Sequence, residues 1–120
     1  MVAHEEGDLD LALETHHESL SIWADMGALA GLAPSLEGVA QVSLAHGDTS
    51  RAVTLFGAAT ALREKIGVPL ARSLRPAHET DVGAAREQLG DEAFRAARRA
   101  GGGLSLEEAV GLALQDPEPR

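Results

Sequence analysis

The sequence predicts an all-α chain, built from antiparallel helical hairpins laid side by side. Three observations carry that expectation. Alanine and leucine dominate the composition, β-branched residues are few, and the only aromatics are Trp23, Phe56 and Phe94; this balance suits helices in close approach better than a sheet. Apolar residues recur at steps of three and four, the spacing of one helix face. The chain also repeats itself weakly at an offset of 40. Gly7-Asp8 recurs as Gly47-Asp48, Ala12 as Ala52 and Gly27 as Gly67, while Leu13, Ile22 and Met26 match Val53, Leu62 and Ile66.

Each glycine pair brackets a helix-length segment. In the first, Asp8 is an expected N-cap and Gly27 an expected left-handed stop. Leu9, Ala12, Leu13, His16, Leu20 and Trp23 form one face, and Leu11, Ile22 and Met26 form a second. Two apolar faces imply packing on both sides, as in a stacked array. A shorter helix is expected over Pro34 to His46, because proline suits a first turn; Leu36, Val39, Ala40 and Ser43 form its inner face. The segment from Asp48 to Gly67 reads like the first, with Ala52, Val53, Phe56, Ala59 and Leu62 or Arg63 as its stripe. Met1 to Glu6 reads as the last turn of a preceding helix.

After Gly67 the pattern changes. Val68 to Leu74 contains Pro69 and reads as a loop, and Pro76 to Leu89 as a helix stopped by Gly90. Asp91 or Glu92 opens a short helix with Ala93, Phe94 and Ala97 inward, ended by Gly101-Gly102-Gly103. Ser105 and Glu108 have capping-box spacing, followed by the stripe Leu106, Ala109, Val110, Ala113 and Leu114. The expected layout is therefore helical repeats over 1–67 with a truncated first helix, a helical extension or cap over 68–114, and a disordered tail over 115–120.

Leu36, Val39, Ala40, Gly47, Ala52, Phe56 and Ala59 resemble the small-and-large pattern of tetratricopeptide (TPR) repeats. The first copy keeps Gly7 and Ala12, with His16 in the aromatic slot and Ser19 in the last small slot. The period is longer than the usual 34, and the early Trp and Tyr are absent. Glu18 to Trp23, Leu55 to Arg63 and Leu104 to Val110 together resemble the C-terminal TPR-like region of actinobacterial LuxR-type transcriptional regulators of the STAND ATPase kind. That resemblance implies a right-handed superhelix of hairpins. It also implies an ATPase module before the repeats and a helix-turn-helix after them. Neither is found in these 120 residues: no G-x-x-x-x-G-K-[ST] occurs, and Gly101-Gly102-Gly103 lacks the lysine a phosphate loop needs. The chain is thus expected to be a fragment, a truncated paralogue or a stand-alone remnant, and no ATP- or DNA-binding role passes to any of its residues.

The formal net charge is −9, from 10 Lys plus Arg against 19 Asp plus Glu. This opposes the basic footprint of a nonspecific nucleic-acid binder, so direct nucleic-acid binding is not expected. Residues 71–100 depart from the average with six arginines against five acids. No unbroken apolar run reaches the length of a membrane span, and Met1 to Asp10 has no signal-peptide core. The absence of cysteine excludes disulfides and thiolate zinc sites. Cytoplasmic localisation is the expectation.

Candidate chemistry is thin. His16 and His17 are adjacent, so they point about 100° apart on a helix and do not chelate from one face; no H-E-x-x-H occurs. His16 matches Phe56 and is expected to be partly buried, with His17 facing solvent. Glu5-Glu6 and Glu107-Glu108 are not carboxylates held across a cleft, Glu107 and Glu108 suit a first helical turn, and no G-x-S-x-G elbow is present. No catalytic residue, metal or cofactor is expected. Trp23 and Met26 are candidates for anchoring a protein partner. Arg95, Arg98 and Arg99 near a helix C-terminus are candidates for meeting phosphate or an acidic partner helix. The expected function is a protein–protein interaction scaffold, contacting other domains of a regulator or a second copy as a homodimer. A transcription factor acting on DNA through helices in 76–114 and a small ligand-binding bundle are the alternatives.

Overall fold

In a computed structural model that describes residues 6–115, the chain is all-α. Six α-helices follow one another: α1 (Glu6–Met26), α2 (Leu29–Ala45), α3 (Thr49–Ile66), α4 (Arg75–Leu89), α5 (Asp91–Gly102) and α6 (Leu106–Leu114), with one 3₁₀ turn at Arg72–Leu74. There is no strand among the described residues. Helix α1 packs on α2, α2 on α3, and α3 on α5, so these four form a row. Helix α4 leans on α3 and α5, and α6 touches α1, α2 and α3.

The turns follow from glycine. Gly27, Gly47, Gly67 and Gly90 all hold positive φ (67°, 87°, 71° and 85°), and no other described residue type does. Glycine enters that region without a Cβ clash. Gly67 closes α3 in the left-handed conformation, and the next amide, Val68, donates to the Arg63 carbonyl.

Several helix boundaries differ from the expected ones. Helix α1 begins at Glu6, so Asp8 lies inside it and is not its N-cap; early acids favour a helix start wherever they fall in the first turn. Residues 1–5 of the expected preceding turn lie outside the described residues, as do residues 116–120 of the expected tail. Helix α2 begins at Leu29 and contains Pro34. Proline there removes one donor, whose partner would be the carbonyl of exposed Ala30; the apolar run Leu29, Leu32, Ala33 and Leu36 extends the helix through it. Asp48 is the N-cap of α3 by position, yet its side chain makes no cap bond. The loop before α4 contains the 3₁₀ turn, and α4 starts at Arg75. Helix α5 runs on through Gly102.

The main core joins Leu20 of α1, Leu32, Leu36 and Val39 of α2, Ala52, Leu55, Phe56 and Leu62 of α3, and Ala109 and Ala113 of α6. Leu20, Leu32, Leu36 and Leu55 are fully buried, and each such leucine contributes about 1.5–3 kcal/mol. A smaller core of Val53, Ala85 and Phe94 seats α4 and α5 on α3. Ala93, expected inward, is exposed. Phe94, Ala97 and Gly101 hold the inner side at steps of three and four, leaving Ala93 off it. Leu106 and Leu114, at 38% and 36% exposed, sit at the margin of the α6 stripe while Ala109 and Ala113 are buried.

Glycine also sets how closely helices cross. A β-carbon on Gly101 would lie 2.8 Å from the Thr54 carbonyl carbon and nearer still to its oxygen; one on Gly57 would run into the Arg98 carbonyl. Helices α3 and α5 therefore touch backbone to backbone. The Ser105 hydroxyl accepts from the Glu108 amide at 3.1 Å and the Glu108 carboxylate accepts from the Ser105 amide at 2.8 Å, completing the expected capping box. These bonds hold the Glu108 carboxyl below its ordinary pKa. At the far end of α6, Arg51 donates to the carbonyls of Leu112 (2.9 Å), Ala113 (3.2 Å) and Gln115 (2.5 Å).

Candidate partner-binding surfaces

Helix α1 faces two ways. Its inner side carries Leu20, fully buried, with half-buried Trp23 and His16 beside it. Each ring rests on a glycine of α2. A β-carbon at Gly31 would lie 2.7 Å from Trp23 Cε2, and one at Gly38 would strike the His16 ring. Trp23 thus packs between α1 and α2 and does not stand free. His16 is half-buried as expected, and burial first, then neighbouring His17, lowers its pKa. His17, expected in solvent, is also half-buried, and its Nε2 is buried without a hydrogen-bond partner among the described residues. No group of three metal-ligating side chains lies together among the described residues.

The outer side of α1 is different. Leu11, Ile22 and Met26 are 63%, 56% and 69% exposed. With Thr15 and Glu18 they step 11, 15, 18, 22, 26, a straight helical stripe. A stacked array packs both faces of a helix; this one is open. The 40-residue echo shows what such a face does elsewhere in the chain. Thr15, Glu18, Ile22 and Met26 match Leu55, Ala58, Leu62 and Ile66, all of which lie in or against the main core. Glu18 lies within the open stripe, and exposed Glu14 and Asp25 border it. Helix α1 as a whole contains no lysine or arginine.

At the other end of the row, α5 turns Phe94, Ala97 and Gly101 inward and leaves Arg95, Ala96, Arg99 and Ala100 exposed, with Glu92 among them. Arg98 lies off this face. It lines a cleft of about 420 Å³ with Glu37, Arg63, Glu64, Arg75 and His78, so the three arginines do not form one patch. The cleft floor holds a two-pronged ion pair, Arg63 Nη2 to Glu37 Oε1 at 2.6 Å and Nε to Oε2 at 3.1 Å, with side chains 11% and 12% exposed. His78 meets Phe56 edge to face at 5.2 Å. The pairing of Glu37 with Arg63, 26 residues apart, was not legible from local spacing; a charged residue within an apolar helix was its only sequence signal.

Over 112 residues, 93% of its length, the chain is 32% identical to "Putative HTH-type transcriptional regulator" proteins of Mycobacterium bovis and of two strains of Mycobacterium tuberculosis. It spans 13% of the length of those relatives. No family model matches the chain, and no solved structure matches it. The chain is therefore similar, over most of its length, to one segment of mycobacterial proteins that carry the name of transcriptional regulators.

Proposed function

We propose that this chain is a TPR-like scaffold for protein–protein contacts, forming part of a bacterial transcriptional regulator of the LuxR-type, STAND ATPase kind. It works in the cytoplasm by holding protein parts, with no catalytic residue and no cofactor of its own. The observation that carries the reading is the outer side of α1, where Leu11, Ile22 and Met26 are exposed in one stripe, while Leu62 and Ile66, the α3 matches of Ile22 and Met26, lie in or against the main core. An exposed helix stripe carrying three large apolar side chains suits docking of a second helix. The row of hairpins and the likeness to a segment of much longer regulators support the same view.

Oxidation of Met26 tests it. With dilute peroxide and peptide mapping, the rate of sulfoxide formation at Met26 is expected to fall as the protein concentration rises, because a second copy covers the stripe. Oxidation at the rate of a free methionine at every concentration would refute the docking role of α1.

A further inference from the structure

We infer that the outer side of α1 in one copy docks on the outward side of α5 in a second copy, head to tail. The inference rests on α1 being a docking face, as proposed above, and names its occupant. The two faces stand at opposite ends of the helix row α1, α2, α3, α5. They are also opposite in charge. The α1 stripe contains Glu18 and is bordered by Glu14 and Asp25, and its helix carries no lysine or arginine. The α5 face presents Arg95 and Arg99, with Glu92 among them and Asp91, itself paired with Arg86, beside Arg95. Neither arginine makes an ion pair among the described residues; the two ion pairs there are Arg63–Glu37 and Arg86–Asp91. Asp91 faces Arg86 at 2.6 Å and lies within electrostatic reach of Arg95.

Shape agrees with charge. Ala96 and Ala100 leave α5 low along the side of its arginine row, so the larger Leu11, Ile22 and Met26 have somewhere to lie. Within one copy, α3 and α5 already approach backbone to backbone through Gly57 and Gly101. Pairing α1 with α1 would instead set Glu14, Glu18 and Asp25 against their own copies, and like charges across an interface are costly. A head-to-tail contact is heterologous, so each added copy leaves one free end, and assembly continues past the dimer.

Charge reversal tests this on the full chain. One variant carries Glu14→Arg with Glu18→Arg, and the other Arg95→Glu with Arg99→Glu; circular dichroism confirms that both fold. Light scattering across concentration gives the weight-average mass. Each variant alone is expected to lose self-association by at least about tenfold. An equal mixture is expected to regain it, since each acidic face then meets a basic one on the other variant. Undiminished self-association of the Arg95→Glu, Arg99→Glu variant, or a mixture that stays monomeric, would overturn the head-to-tail arrangement. Should that variant associate normally while Ile22→Lys with Met26→Lys does not, α1 remains a docking face and only its occupant is wrong.

Discussion

His16 occupies in α1 the place that Phe56 holds in α3, and it fills that place as a ring against Gly38. A titratable group in a packing slot ties stability to pH. Burial lowers the His16 pKa in the folded state, so as pH falls the unfolded chain takes up the proton first. The stabilisation from the neutral ring is whole above the unfolded value of about 6.5. It is lost as pH falls from there through the lower folded value. His16→Phe removes this titration. Between roughly pH 7.5 and 5.5, the window that histidine titration spans, native stability in urea is expected to fall more steeply than that of His16→Phe. Parallel pH profiles would contradict the buried-histidine reading. The match of His16 to Phe56 was visible in the sequence because both lie at the same step of the repeat. The half-burial of His17 was not, since one residue's turn around a helix does not say how wide the covering helix is.

At the scale of elements, glycine makes turns and permits a close helix crossing, and only the first was legible beforehand. The turn glycines at 27, 67 and 90 stood out by their place at the ends of apolar stripes. Gly57 and Gly101 did not, because a close crossing joins residues distant in sequence, Gly57 with Arg98 and Gly101 with Thr54. Gly101 read as part of a helix stop and is instead the point where α5 presses on the α3 backbone. Gly101→Ala is expected to cost about 1–3 kcal/mol or more, since a carbonyl cannot rotate away as a side chain can. Gly83, inside α4, has open space within 4 Å of where an added β-carbon would sit, and no positive φ; Gly83→Ala is expected to stabilise by about 0.5–1 kcal/mol through helix propensity. Chemical denaturation of the pair checks both signs, and equal effects would contradict the close crossing. The early start of α2 was missed for a related reason. Pro34 looked like a first turn, but the apolar contacts of Leu32 and Ala33 outweigh the loss of one solvent-side hydrogen bond.

On the scale of the whole molecule, the chain is a row of helices with a covered middle and two unlike ends. The covered middle could be read from alternating apolar faces, and all-α architecture followed. The ends could not, because a sequence marks a face as apolar without saying what lies against it. The second face of α1 was legible as apolar; which of its side chains stand open is a property of the row. The mixed charge of residues 71–100 was visible too, but its division into an outward face with Arg95 and Arg99 and a cleft with Arg98 depends on how α5 is turned. Sedimentation velocity of the chain beside Ile22→Lys with Met26→Lys tests the docking face most directly. The native chain is expected to gain mass steadily with concentration, while the variant, equally helical, stays at the 12.5 kDa of one copy. A native chain that remains a strict monomer at high concentration, or a variant that associates just as well, would contradict it.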